Sequence, residues 1–227
     1  MKAVLRETAI IAPETRHCRF DIPELGSFPF LPGQFISLSA PINGRQITRA
    51  YSICSSPAGN HFEICFNRVQ DGRFSPFLYD LEPGDSVEAK GPHGYFTLKN
   101  PDSPILMVAT GTGVAPFRSM LLHMLPASVS SITLLFGVRH EEGILYRAEF
   151  EQLERRHLNF RFWPTLTRPP ETWKGRTGRV QTHLEEALAT PGVAVYICGL
   201  NAMVKDVRAI LKDRGLERGR VFYERYD

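Results

Sequence analysis

Four consecutive residues, Arg49-Ala50-Tyr51-Ser52, set a guanidinium, a phenol and a hydroxyl side by side in a run that reads as a β-strand. Side chains alternate between the faces of a strand, so Arg49 and Tyr51 point one way, roughly 7 Å apart, and Ser52 points the other. A guanidinium makes paired hydrogen bonds to a phosphate, a phenol ring lies against an aromatic heterocycle, and a neighbouring hydroxyl reaches the heterocycle's edge. This spacing suits a ligand with an anionic end and a flat end, as a flavin nucleotide has. An edge strand with a surface Arg and a half-buried Tyr would look the same, so the weight must come from elsewhere in the chain.

A second constellation is Thr110-Gly111-Thr112-Gly113-Val114-Ala115-Pro116, which follows an apolar run and opens a helix-like one. Glycines let the backbone approach a phosphate, Pro116 suits a first helical turn, and the unpaired N–H groups of a helix start favour an anion. The turn departs from the G-x-G-x-x-G dinucleotide fingerprint, because Pro116 stands where the third Gly would be. The next apolar run ends Phe136-Gly137-Val138-Arg139, with no acidic residue for a ribose. Further on, Thr167-Arg168 is followed by Lys174, Arg176 and Arg179. Two arginines each making a charge-assisted bond of about 1.5–3 kcal/mol would favour a 2′-phosphate by roughly 10² to 10⁴, selecting NADP over NAD. A solvated basic loop is the equally weighted alternative.

Weaker signals complete the set. Asp71-Gly72-Arg73-Phe74-Ser75 opens a short helix whose N–H groups and hydroxyl could hold phosphates near Arg49. Gly91-Pro92-His93-Gly94-Tyr95-Phe96 closes the first half, Cys198-Gly199 ends an apolar run, and Glu224-Arg225-Tyr226-Asp227 ends the chain.

The elements that must position these residues change in texture near residues 101–104. Before that point, strand-like runs at 3–11, 16–22, 34–40, 49–54, 61–69 and 86–90 are separated by Pro, Gly and Asn, with one short helix expected at 75–81. Alternation is clear at 61–69, where Phe62, Ile64 and Phe66 share one face and Glu63, Cys65 and Asn67 the other. Six such strands suggest a closed antiparallel barrel. After it, strands at 105–109, 132–136, 159–166, 193–198 and 220–226 alternate with helices at 115–125, 148–157, 180–189 and 202–214, the pattern of a parallel sheet covered on both faces. The expected domains are 1–101 and 102–227, and the carboxyl ends of the second domain's strands bring the glycine turn, the basic cluster, Cys198 and Glu224 to one edge.

Composition excludes several classes. The 227 residues carry a net charge of +3, too little to imply nucleic acid, and no apolar run is long enough to span a bilayer. Arg6 and Glu7 fall where a secretory signal would need its apolar core, so a cytoplasmic protein is expected. Cys18, Cys54, Cys65 and Cys198 show neither C-x-x-C nor an iron–sulfur spacing, and no metal is expected.

Taken in order, R-A-Y-S at Arg49 to Ser52, G-R-F-S at Gly72 to Ser75, G-P-H-G-Y-F at Gly91 to Phe96, G-T-G-V-A-P at Gly111 to Pro116, Cys198-Gly199 and the terminal Glu224-x-Tyr226 resemble the ferredoxin–NADP reductase superfamily over nearly the whole chain. The resemblance implies a six-stranded Greek-key flavin-binding barrel followed by a doubly wound nicotinamide-nucleotide domain, with FAD and NADP as cofactors. It implies that Arg49 holds the flavin pyrophosphate, Tyr51 packs on the isoalloxazine and Ser52 sits near its reactive nitrogen, with Cys65, Gly72, Phe74 and Ser75 completing that wall. Gly111, Thr112 and Gly113 would cradle the nicotinamide dinucleotide, and Thr167, Arg168 and Arg179 would meet the 2′-phosphate, with Thr167 in place of a more usual Ser. Ser52, Cys198, Glu224 and Tyr226 would stand at the hydride-transfer point, with Tyr226 across the flavin ring from Tyr51, although Asp227 puts the carboxyl terminus one residue further on. The implied activity passes a hydride between NADPH and FAD, and single electrons between flavin and a separate acidic carrier such as ferredoxin or flavodoxin; a monomer is expected. Other readings are an NADH-dependent oxygenase component, a free-flavin reductase, and a non-catalytic electron-transfer subunit or redox sensor. FMN in place of FAD stays open.

Overall fold

The structure, a computed structural model, describes residues 1–99 and 101–226; Asn100, beside the expected domain boundary, and the terminal Asp227 lie outside the described residues. The chain divides into two compact units, one of Met1–Thr97 with Ala115–His123, the other of Leu98–Val114 with Met124–Asp227.

The first unit is built from β1 (Lys2–Ala12), β2 (Thr15–Asp21), β3 (Phe35–Ile42), β4 (Arg45–Ser52), β5 (His61–Asn67), α1 (Phe74–Tyr79) and β6 (Ser86–His93). Its strands pair antiparallel in the order β4-β3-β6-β1-β2-β5, and a bridge between Ile53 and Ile64 joins the two edges, so the sheet closes on itself. Alternation puts Leu5, Cys18, Phe20, Ile36, Leu38, Phe62 and Ile64 in the core. Phe20 and Phe62 are paired in register and stack at 5.5 Å, which fixes which face of β2 and β5 points inward. β4 starts four residues earlier than its apolar character suggested. Asn43 and Gly44 both hold positive φ and turn β3 directly into β4, a two-residue hairpin loop of the kind Asn-Gly favours.

The second unit has β7 (Ile105–Thr110), β8 (Ile132–Val138), β9 (Phe160–Leu166), β10 (Arg176–Thr177), β11 (Ala194–Leu200) and β12 (Val221–Tyr226), all parallel, in the order β10-β9-β8-β7-β11-β12. Between them run α2 (Ala115–Met124), α3 (Arg147–Arg156), α4 (Leu184–Ala187) and α5 (Asn201–Asp213). Met203, Val204, Val207 and Leu211 bury one stripe of α5. The helix expected at 180–189 is instead a 3-10 turn, Val180–His183, followed by the single α-turn of α4. The His183 ring reaches back to the Thr177 carbonyl and the Thr165 hydroxyl, both at 3.0 Å, and holds this tighter path. Strand order reverses at β7, which lies between β8 and β11; in such sheets the ligand edge lies outside the carboxyl ends on either side of that reversal.

Candidate functional site

In the first unit, the β4 run places Arg49 at the surface, Tyr51 half-buried and Ser52 buried. Arg49 donates one bond to the Thr48 carbonyl at 2.8 Å and, among the described residues, pairs with no carboxylate, so its charge remains for an anion. Tyr51 meets Phe66 edge-on at 5.6 Å and Phe74 at 6.1 Å. Burial pushes its phenol far up, against the pull of Arg49, so the ring is a neutral platform at any physiological pH. The contact with Phe74 sets the start of α1 beside this run, and the 72–75 turn comes with it. There the Val69 N–H donates to Ser75 Oγ at 3.1 Å, and the Gly72 N–H donates to the Val69 carbonyl at 2.9 Å. A Cβ on Gly72 would press on both Val69 and Ser75 at 3.0–3.1 Å, so the tight turn explains the glycine. An exposed guanidinium, a neutral aromatic ring and a folded-back hydroxyl turn on one wall fit a flavin nucleotide.

Two residues of the expected wall are placed differently from a simple ligand contact. The Phe74 ring is 2% exposed and packs in the core with Tyr51 and Phe77, so only its main chain is left to face a ligand. Cys65 is buried with its thiol bonded to Cys54, which leaves it likewise a main-chain contact.

In the second unit, the residues expected at the nucleotide edge do gather. Thr110 ends β7, the 3-10 turn Gly111–Val114 follows, and α2 begins at Ala115. A Cβ on Gly113 would collide with the Cys198 carbonyl oxygen and lie 2.7 Å from the Gly199 Cα, so glycine there lets the turn press against the end of β11. Gly199, at φ +143, is equally tight against Thr110. Cys198 pairs with Glu224 and Leu200 with Tyr226 in the parallel register of β11 and β12. Burial pushes the Cys198 thiol well up, the Glu224 charge adds to this, and a hydrogen bond from Tyr226 opposes it. Cys198 is therefore a neutral, fully buried thiol with a carboxylate and a phenol hydroxyl beside it. It can pack and polarise, but it is not a nucleophile at neutral pH.

The basic rim is narrower than the sequence cluster and contains one arginine the expected site lacked. Arg176 is committed elsewhere: it forms a two-pronged ion pair with Glu186 at 2.6 and 2.8 Å and lies 3.9 Å over the Trp163 ring. Thr167, Arg168 and Arg179 are exposed at the ends of β9 and β10. The Arg168 N–H donates to the Arg139 carbonyl at 2.8 Å, and the Thr167 N–H to the Val138 carbonyl at 3.0 Å. Arg139, exposed at the end of β8, thus stands next to Arg168. The signal was in the sequence, since the position that carries an acidic residue in ribose-selective sites here reads Val138-Arg139, and a cation there suits a phosphate. Four cradle and rim features on one sheet edge, glycine turn, Thr167, paired arginines and the Cys198–Glu224–Tyr226 group, fit a phosphorylated nicotinamide dinucleotide.

Residues 2–98 match the family described as "Oxidoreductase FAD-binding domain", and residues 107–209 match "Oxidoreductase NAD-binding domain". The chain is 42% identical to "Ferredoxin--NADP reductase B" of Sorangium cellulosum (strain So ce56), covering 96% of this chain and 93% of that protein. It is 32% identical to "NADH-cytochrome b5 reductase 1" of Mortierella alpina, covering 91% of this chain and 72% of the relative. Among solved structures, a ferredoxin NADP+ reductase from Neisseria gonorrhoeae with bound FAD and NADP superimposes with a TM-score of 0.84 at 25% identity, covering 99% of this chain and 98% of that one.

Proposed function

This chain belongs to the ferredoxin–NADP reductase family of flavin-dependent oxidoreductases, and we propose that within it the protein passes a hydride between NADPH and FAD and single electrons between the flavin and a separate small acidic carrier of the ferredoxin or flavodoxin kind. FAD, when bound, supplies the step from a two-electron hydride to single electrons. The protein's part is binding, orientation and electrostatics. Arg49 binds the pyrophosphate, with the 72–75 turn and Ser75 closing around it; Tyr51 supports the ring system, Ser52 offers its hydroxyl to the ring edge, and the main chain at Phe74 and Cys65 completes the wall. On the second unit, Gly111, Thr112 and Gly113 receive the dinucleotide phosphates. Thr167, Arg168 and Arg179, with Arg139, hold the 2′-phosphate. Tyr226 keeps the nicotinamide's place until substrate displaces it, and Cys198 and Glu224 set the polarity there.

The observation that carries this reading over an NADH-dependent one is the adjacent pair Arg139 and Arg168 at the ends of β8 and β9, where a ribose-selective site would want a carboxylate. The net charge of +3 does not repel an acidic carrier. All four cysteines are thiols, in keeping with a reducing, cytoplasmic compartment, and among the described residues no helix is long and apolar enough to cross a membrane. A monomer suffices, since each of these groups comes from one chain.

The test is anaerobic titration of the purified yellow protein. NADPH should bleach the flavin, and kcat/KM for NADPH should exceed that for NADH by roughly 10² or more, the share two charge-assisted bonds supply. A protein that stays colourless with added flavin, or that prefers NADH, would overturn the reading.

A further inference from the structure

The barrel unit holds a second cluster of donor groups, on the outer face of its sheet, that the flavin reading does not use. β2 turns Cys18 and Phe20 into the core and so turns His17 outward; β5 turns Phe62, Ile64 and Phe66 inward and so turns Glu63 and Cys65 outward. His17 and Cys65 are register partners across β2 and β5. Beyond the end of β4, the Cys54 N–H donates to the Glu63 carbonyl at 2.8 Å, which brings Cys54 onto the same face. Its thiol bonds that of Cys65. Residues of α2 cover the group: Arg118 Nη1 donates to Glu63 Oε2 at 2.8 Å and to the Cys54 carbonyl at 2.9 Å, and Ser119 Oγ donates to the Ser55 carbonyl at 2.6 Å.

The two nitrogens of His17 face different partners. Nε2 lies 3.7 Å from Glu63 Oε2, and Nδ1 lies 3.9 Å from Cys54 Sγ. A proton on Nε2 is drawn to the carboxylate, and the Nδ1 lone pair is then aimed at the sulfur. A carboxylate behind a histidine whose other nitrogen meets a thiol is the arrangement that orients imidazoles for metals. The donor atoms of His17, Cys54 and Glu63 all lie within 4.8 Å of one another. Zinc–sulfur and zinc–nitrogen bonds of about 2.3 and 2.1 Å together span about 4.4 Å, so a 3.9 Å gap accepts one ion between Sγ and Nδ1. A Cys–His nucleophile pair is the competing use of the same atoms, and it is excluded because Cys54 is 0% exposed and no substrate reaches it.

We propose that Cys54, Cys65 and His17 form a binding site for a thiophilic divalent cation, zinc or cadmium in kind, with Glu63 orienting His17 and Arg118 balancing Glu63. On binding, two S–H bonds break, two metal–sulfur bonds form and two protons leave to solvent. The charge of the site is unchanged by that exchange, so the neighbouring Arg118 does not oppose it. The side chains of His17 and Glu63, 18% and 20% exposed, are the way in from solvent. No short sequence spacing announces the site, because its ligands come from β2, β5 and the end of the β4 run, 37 residues separating His17 from Cys54.

Cadmium is the probe, added to chelator-treated, flavin-loaded protein and followed by the ultraviolet thiolate-to-cadmium charge-transfer band with proton release. The expected result is one ion per chain, a band of two-thiolate intensity, about two protons released, and an affinity that falls about a hundredfold per unit decrease in pH. Zinc should displace the cadmium. Cys54→Ser should remove at least half of the band, His17→Gln should weaken binding by at least about tenfold, and Glu63→Gln by about tenfold through the orientation of His17. Cys18→Ala, whose thiol lies on the core side, should change nothing. Absence of the band at saturating cadmium, a band that persists in Cys54→Ser, or equal affinity in His17→Gln would overturn the site. If Cys54→Ser loses flavin and folded structure, His17→Gln and Glu63→Gln, which leave both thiols in place, decide the matter.

Discussion

The two sheets collect their functional groups in opposite ways. In the antiparallel barrel, one strand run, Arg49 to Ser52, carries a guanidinium, a ring and a hydroxyl together, and a single turn at 72–75 backs it. In the parallel sheet no strand carries more than a few of the groups: Thr110, Arg139, Thr167, Cys198 and Tyr226 sit at the ends of five strands and meet because parallel strands finish at a common edge. The first wall is therefore a side-chain device, readable in four letters. The second is a main-chain device, in which close backbone approach matters more than any one side chain.

That contrast orders the expected damage. Gly113→Val should be the most harmful change, because its side chain has no room against the β11 carbonyl; an overpacking cost on the order of 3 kcal/mol should appear as a fall in kcat/KM for NADPH of about 10² or as early unfolding of the second unit by calorimetry. Nicotinamide turnover equal to wild type would break the claim that this edge is set by backbone. Arg49→Ala should cost about 1.5–3 kcal/mol of flavin affinity, visible as loss of yellow colour on gel filtration, while thermal unfolding of the apoprotein stays put because Arg49 is exposed. The double change Arg168→Ala with Arg179→Ala should raise the KM for NADPH by roughly 10-fold or more and leave that for NADH unmoved; adding Arg139→Ala should extend the effect, and an unchanged preference would refute the rim. Ser75→Ala should be mildest, about 1 kcal/mol from the lost bond to the Val69 N–H, read as modestly faster flavin release.

Much of the fold was legible because its strands are either cleanly alternating, as in β5, or continuously apolar, as in β7, and because Gly and Pro punctuate the gaps. The 180–189 segment was not, since its apolar spacing suits a helix while side-chain bonds of His183 and Thr182 hold a tighter turn. Thr182 Oγ1 donates to the Arg179 carbonyl at 2.8 Å, a local bond that sequence periodicity does not register. Arg139 was visible as a missing acid but not as a partner of Arg168, because their adjacency depends on β8 lying beside β9.

The sequence by itself determined the two textures, the strand that faces a flavin and the order of motifs that places the chain in its family, because each of these is a property of neighbouring residues. Only the tertiary structure decided that Arg176 is spent on Glu186, that Arg139 joins Arg168, and that Cys198 lies in register with Glu224. It alone also brings His17, Cys54 and Cys65 onto one outer face of the barrel. The physical reason is the same in each case: strand pairing sets distances between residues far apart in the chain, and register, not composition, chooses which side chains meet.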